Sequence, residues 1–175
     1  DNIKTRNSII FFSKNKNLKL IYSTRLIRWN SKNRNTLFNN VNYQNLVGLS
    51  IKESIPKIST SIELSVLKKV EKLDNINQFI SIEALPKRKN NNKTIYFYNT
   101  AYNWLSVFSD IPPSFDNNKE IIPNSLYGIN CNNETDAKML YAIFNSKFAY
   151  WYWVVWGDGF HVTSSFIKNI PIPFF

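Results

Sequence analysis

The stretch from Glu134 to Phe175, ETDAKMLYAIFNSKFAYWYWVVWGDGFHVTSSFIKNIPIPFF, constrains the fold most, because helix starts and stops follow one another in it without a gap. Asn133 or Thr135 can cap a helix whose first turn carries Glu134 and Asp136, and Met139, Leu140, Ile143 and Phe144 then recur at helical spacing. Asn145 or Ser146 can end that helix and start another at once. From Phe148 to Trp156 the second helix is apolar nearly all round, so it must be buried on most of its sides. Trp151, Trp153 and Trp156, flanked by Phe148, Val154 and Val155, read as a core helix that wedges the domain together rather than as a stacking platform. Gly157, Asp158 and Gly159 break it as a C-cap and turn, and a strand is expected to follow. Proline lacks a backbone donor, which keeps Ile170-Pro171-Ile172-Pro173 out of a central strand and predicts an extended edge leading out of the domain.

The earlier part of the chain reads as short strands and single helices. Ser8 to Phe12 and Leu18 to Tyr22 are apolar, β-branched or aromatic runs joined by Ser13-Lys14-Asn15-Lys16-Asn17, the pattern of a β-hairpin with a polar loop. Ser31 is placed to cap a short helix over Lys32 to Phe38, and Asn39, Asn40 and Asn42 mark a loop. After the Ile55-Pro56 turn, Thr60 or Ser61 opens a helix with the apolar stripe Ile62, Leu64, Val66, Leu67, Val70 and Leu73, and Lys68, Lys69, Glu71 and Lys72 fall on its solvated side.

Pro86 to Lys93, PKRKNNNK, reads as a hairpin tip or a loop between sheets leading into the strand Ile95 to Tyr98. Tyr96, Phe97, Tyr98, Tyr102, Trp104 and Phe108 nearly alternate, which puts most of them in a core and leaves others exposed. Ile111-Pro112-Pro113 ends that run, Asp116 to Glu120 is a polar turn, and Leu126 to Cys131 is a further strand. The fold class expected is α+β, with short, mainly antiparallel strands, a C-terminal pair of helices and a buried aromatic helix.

The net charge of +10 is unevenly placed. Nine Lys or Arg residues against one acid between Asp1 and Arg34 give +8, and Lys87, Arg88, Lys89 and Lys93 add +4. Asn40 to Glu83 nets zero and Thr94 to Phe175 nets −2, so the excess sits in two patches that could converge on one face against phosphates. The competing explanation is an Asn- and Lys-rich bias of the kind an AT-rich coding sequence imposes. The longest apolar run is far below the roughly 18 residues needed to cross a bilayer, and no secretory signal is visible, so a cytoplasmic location without membrane association is expected. The lone Cys131 and lone His161 make neither a zinc site nor a Cys/His catalytic set. Starting at Asp1 and ending at Phe174 and Phe175, the chain is expected to be a piece of a longer protein.

Asn-Ser-Lys ahead of an aromatic helix, then Gly-Asp-Gly-Phe-His and a closing Ile-Pro-Ile-Pro, resembles the C-terminal target-recognition region of adenine-specific DNA methyltransferases of restriction and modification systems, either type II modification enzymes or fused restriction-modification enzymes. STRLIRWNSKNRNTLF (Ser23 to Phe38), IPKISTSIELSVLKKV (Ile55 to Val70) and IYFYNTAYNWLSVF (Ile95 to Phe108) are similar to that family in the same order, so the resemblance spans nearly the whole chain. It implies that residues 1–50 are lead-in strands, either the end of a methyltransferase domain or the first strands of the recognition domain, and that residues 51–175 are the recognition domain.

The implied partners are double-stranded DNA and the methyltransferase domain of the same longer chain. S-adenosylmethionine would be held by that other domain, with no cofactor, metal or catalysis in this fragment. Under the resemblance Arg25, Arg28, Lys32 and Arg34 contact the DNA backbone. Lys87, Arg88, Lys89, Asn91 and Lys93 offer phosphate and base contacts, Arg88 leading because its two donors match guanine O6 and N7 together.

The sequence departs from the catalytic pattern of such enzymes. In Asp110-Ile-Pro-Pro-Ser-Phe, Ile111 separates the carboxylate from the prolines and Ser114 separates them from Phe115, so the motif that holds the target amino group is not formed. Gly157-Asp158-Gly159 is too short for a cofactor loop and follows a helix instead of a strand. Asp158 and His161 without a nucleophile or metal partners make no catalytic site. Two other readings stand beside the first: an enzyme fragment touching its cofactor through the first hairpin, and a protein-interaction module docking a specificity region onto a partner modification subunit through the aromatic helix.

Overall fold

A computed structural model describes residues 20–39, 41–50, 54–76, 80–84 and 92–172, and the expected hairpin over Ser8 to Tyr22 lies almost wholly outside them. The fold is α+β. Its strands are β1 (Tyr22–Ser23), β2 (Gln44–Asn45), β3 (Ile80–Ala84), β4 (Thr94–Tyr98), β5 (Val107–Phe108), β6 (Phe115–Asp116), β7 (Lys119–Glu120) and β8 (Leu126–Cys131). Its α-helices are α1 (Ser61–Val70), α2 (Glu134–Phe144), α3 (Lys147–Trp156) and α4 (Ser164–Asn169), with one 3-10 turn over Ser31–Thr36.

Capping chemistry fixes where the helices begin. The Thr60 side chain accepts from the Glu63 N–H while the Glu63 carboxylate accepts from the Thr60 N–H, a reciprocal box that starts α1. Asn133 caps α2, Ser146 caps α3 directly after the Asn145 stop, and Thr163 caps α4. The 3-10 turn is capped by Asn30, whose Oδ1 accepts from Lys32 N, rather than by Ser31. The α1 stripe is narrower than its spacing suggests: Leu67 and Val70 are buried, whereas Ile62 is 75% exposed and Leu73 lies beyond the helix end.

The central sheet has the order β3-β8-β4-β5, every pair antiparallel. Ile80 pairs with Cys131 and Thr94 with Asn130, while Ala84 pairs with Tyr127 and Tyr98 with Leu126. Thus β3 and β4 run parallel to each other on either side of β8, and residues 80 to 98 do not form a two-stranded hairpin. Elsewhere, β6 and β7 close through Asn117 and Asn118, both at positive φ as a two-residue hairpin turn requires.

Helix α3 is shared by two apolar clusters. On one side Ala149 and Trp153 join Ile95, Phe97, Ile129, Leu140, Phe144 and Ile167 in the main core against the sheet. On the other, Val155 packs with Leu46, Ile58 and Leu67, flanked by Trp151 and Trp156. An apolar perimeter is therefore matched by burial on two faces.

The chain after α3 corrects two expectations. Gly157 ends the helix where an added Cβ would lie 2.6 Å from Trp153 O, and Gly159 takes φ +77°. The expected strand beyond them is a single bridge, His161 to Thr100, followed by α4. The Ile170-Pro171-Ile172 segment is extended, yet it does not lead outward. Ile172 N donates to Asp74 O at 2.9 Å and Ile76 N to Ile170 O at 3.3 Å, and Ile170 and Ile172 are buried. Pro171 needs no donor there because its neighbours carry the pairing.

Trp153 is fully buried and its Nε1 donates to His161 O at 2.8 Å. Trp153→Ala should lower unfolding stability by about 3–5 kcal/mol, read from the shift of the urea midpoint at unchanged slope.

Candidate nucleic-acid interface

The segment after β1 runs from Thr24 to Asn30 without helix or strand before turning through the Ser31–Thr36 3-10 turn. The lead-in is tied down by the Ser23 hydroxyl, which donates to Pro56 O at 2.5 Å, and by the short β1–β2 pair, which positions Leu46 in the second cluster. Its polar residues therefore stand at fixed positions although most are exposed. Arg25, Arg28, Trp29, Asn33, Leu37 and Asn42 are among the residues around a cleft of about 470 Å³. Arg25, Lys32 and Arg34 are exposed and form no ion pair or hydrogen bond with another side chain among the described residues. Unpaired guanidinium and ammonium groups keep their full attraction for phosphate.

Arg28 behaves differently from its neighbours. Its Nη1 donates to Asn103 Oδ1 at 2.6 Å, and its Nη2 donates to Tyr102 O and to Tyr150 Oη, the last at 3.3 Å. Tyr150 Oη in turn donates to Tyr102 O at 3.1 Å. One guanidinium thus straps the 24–30 segment to the loop after β4 and to α3, spending donors that the sequence suggested for DNA. Beside this strap Trp104 stacks on Tyr150, with ring centres 5.9 Å apart and planes at 17°, and Tyr102 meets Phe160 edge to face. Alternation does not hold within β4, where adjacent Tyr96 and Phe97 are both buried, and the exposed members, Tyr102 and Trp104, stand in the loop that follows it.

The loop after β4 is closed by backbone pairing with the turn after α3: Ala101 N donates to Phe160 O and Val162 N to Asn99 O, each at 2.8 Å. Asp158 organises that turn. Its Oδ1 accepts from the N–H groups of Phe160 and His161, both at 2.7 Å, and its Oδ2 lies 2.5 Å from His161 Nδ1. Partial burial raises the Asp158 carboxyl, but the His161 ring and the two N–H donors outweigh it and hold the group below 3.8. Lys57 closes the same corner, its Nζ donating to Gly157 O at 2.7 Å; burial lowers its pKa and Asp158 partly opposes that. Asp158 and His161 are thereby structural partners in a turn.

Lys93 is exposed just before β4, and Arg28 docks on the loop that follows β4, so the strand's length, roughly 15 Å, lies between these two cations. Lys87, Arg88, Lys89 and Asn91 lie outside the described residues, as do the basic residues ahead of Leu20. Sequence reasoning missed Trp29, Asn33 and Asn42 around the cleft and Tyr102, Asn103 and Tyr150 under Arg28. An aromatic directly after an arginine in Arg28-Trp29-Asn30 was the signal available for the first.

The turn at Gly157–Gly159 does not fit S-adenosylmethionine, because the Asp158 carboxylate is occupied by His161 and two backbone donors and the glycine N–H of Gly157 closes α3 on Trp153 O. Among the described residues no group of His, Cys, Asp or Glu is arranged to hold a metal ion, and no helix is long and apolar enough to cross a membrane. Comparison of the chain with protein-family models, curated proteins and solved structures finds no match.

Two outcomes follow from this geometry. Arg28→Ala should cost about 1 kcal/mol and speed amide exchange at Ala101 to Trp104, measured by hydrogen exchange with mass spectrometry. Asp158 is held below 3.8 in the folded state, so its bonds add stability that is complete above the unfolded pKa and is lost as pH falls through the folded one. The melting-temperature gap between the native chain and Asp158→Asn should narrow as pH falls below the unfolded carboxyl value of about 3.9, in a scan from pH 5 downward.

Proposed function

We propose that this chain is the DNA target-recognition part of an adenine-N6 DNA methyltransferase of a restriction-modification system, reading a short duplex sequence for a catalytic domain carried elsewhere in a longer chain. The observation that carries the reading is the presentation of Arg25, Lys32 and Arg34, exposed and without acidic partners among the described residues, around a cleft that also holds Trp29, Asn33 and Asn42. Fixed, uncompensated cations supply the salt-sensitive phosphate contacts that set register on a duplex. Lys93, exposed at the start of β4, adds a further basic point.

In this reading the fragment performs no chemistry. S-adenosylmethionine belongs to the separate methyltransferase domain, and the whole acts in the cytoplasm, where its DNA lies. Arg88 and Asn91 are the proposed base readers, and Lys87, Lys89 and Lys93 hold phosphates. Arg28 is assigned to positioning, because its donors are engaged within the protein. The alternative, a protein-interaction module using the aromatic helix, has little surface to work with: every aromatic residue of α3 is buried or half-buried within the chain.

The test is selection from randomised duplexes at low and then moderate salt, followed by titration of the enriched and scrambled sequences. Arg25, Lys32 and Arg34 changed singly to Ala should each weaken both sequences alike and reduce the slope of log K against log salt by about one. Arg88→Ala should cost about 1–3 kcal/mol on the enriched sequence only. Equal losses on both duplexes would remove Arg88 from base reading, and absence of any salt-dependent binding would remove the DNA reading itself.

A further inference from the structure

Beyond β5 the chain leaves the body of the fold. No residue between Ser109 and Asn124 is buried and none belongs to either apolar cluster, so β6 and β7 form an arm that stands off the core. Its register is nonetheless defined: Phe115 pairs with Glu120 and Asp116 with Lys119. Residues opposite each other in an antiparallel pair point to the same face, with Cβ atoms about 5 Å apart. One face of the arm therefore presents the Phe115 ring, 69% exposed, beside the exposed Glu120 carboxylate. Asp110, Asp116 and Glu120 against Lys119 make the arm acidic, in a chain of net +10. A two-stranded hairpin alone is marginally stable in water, so cover on its aromatic face would stabilise it.

A second unpartnered face lies on α1. Ile62 and Val66, one turn apart, are exposed on the side turned away from buried Leu67, and Lys69 follows them there. Lys69 forms no ion pair among the described residues, and the Glu63 carboxylate is committed to the Thr60 box.

We infer that these two faces meet between two copies of the chain: the arm of one lies across α1 of the other, with Phe115 against Ile62 and Val66 and Glu120 against Lys69, and each copy gives its arm to its partner. Both faces are exposed within one chain, so an arm does not cover its own α1. Charge selects the pairing. Joining α1 to α1 brings lysines together, and joining arm to arm brings carboxylates together; only arm on α1 sets unlike charges beside matched apolar groups. Spacing agrees, since Val66 and Lys69 stand about 5–6 Å apart on the helix, close to the separation of Phe115 from Glu120. Reciprocal exchange makes a closed two-fold pair and doubles a contact that alone is small. The inference stands independently of the DNA reading.

The experiment is sedimentation equilibrium at about 0.15 M salt, where repulsion between the basic copies is screened beyond roughly 8 Å. It uses the native chain, Phe115→Ser, Glu120→Lys and Lys69→Glu, and a mixture of the last two. The native chain should pass from monomer to dimer as concentration rises to about 200 μM, as a small interface allows. Each variant alone should dimerise roughly 10-fold more weakly, because both contacts are struck at once. Mixing Glu120→Lys with Lys69→Glu should restore native association, since each arm then faces an α1 of opposite charge. These positions lie outside both apolar clusters, so the variants should melt like the native chain. A native chain that stays monomeric throughout overturns the second copy as occupant. Dimerisation unchanged in Phe115→Ser or Lys69→Glu, or no recovery on mixing, overturns the contact, and assemblies larger than a dimer overturn the reciprocal exchange.

Discussion

Burial of α3 on two sides is the constraint on which the rest depends. A ten-residue helix of sequence KFAYWYWVVW has no polar face to offer water beyond its first residue, so it lowers its free energy only where apolar neighbours stand on more than one side. The chain supplies them by placing the sheet with α2 and α4 on one flank, and α1 with Leu46 and Ile58 on the other. Each flank is small alone, and α3 makes one body of them. Trp153 also ties the helix to the turn that follows it, through its bond to His161 O, so the same side chain that fills the core positions the loop above it.

From that body the candidate interface inherits its rigidity. The loops at Ala101 to Trp104 and at Gly157 to Val162 are seated on the core by Ala101 and Val162 and are held further by mutual backbone pairing, by the Asp158 carboxylate and by Lys57. Arg28 then anchors the basic 24–34 segment onto the first of these loops. The arginine thereby spends donors on the protein, while Arg25, Lys32 and Arg34 have no side-chain partner among the described residues on a segment that Arg28 anchors. A cation on a mobile tail would lose more entropy on binding than one whose backbone is already fixed.

Sheet order sets where Lys93 and the Arg28 strap stand. With β8 between β3 and β4, the two strands run parallel, and the N-terminal end of β4, near Lys93, lies away from the end that carries Tyr102 and Asn103. A charge map read along the sequence carries no information on which strands are neighbours. The closing Ile-Pro-Ile segment shows the same limit. Its prolines exclude a central strand, as expected, but they say nothing about whether the edge departs or returns, and here it returns to pair with Asp74 to Ile76 and fill the core with Ile170 and Ile172.

Local chemistry was decided by the sequence itself. The caps at Thr60, Asn133 and Ser146, the stop at Asn145 and the break at Gly157 follow from interactions between residues a few positions apart, and the strands over residues 94–98 and 126–131 and the buried aromatic helix are legible in the residue pattern because their apolar side chains must find cover wherever the fold supplies it. The choice of Arg28 as a strap, with Arg25 left without a side-chain partner among the described residues, the gathering of Trp29, Asn33 and Asn42 around one cleft, and the placing of Lys93 and Arg28 at opposite ends of β4 were decided by tertiary structure. Those outcomes depend on which distant backbone carbonyls and side chains arrive beside each group, and solvation of Arg25 and Arg28 is identical until the loop carrying Tyr102 and Asn103 is folded against one of them and not the other.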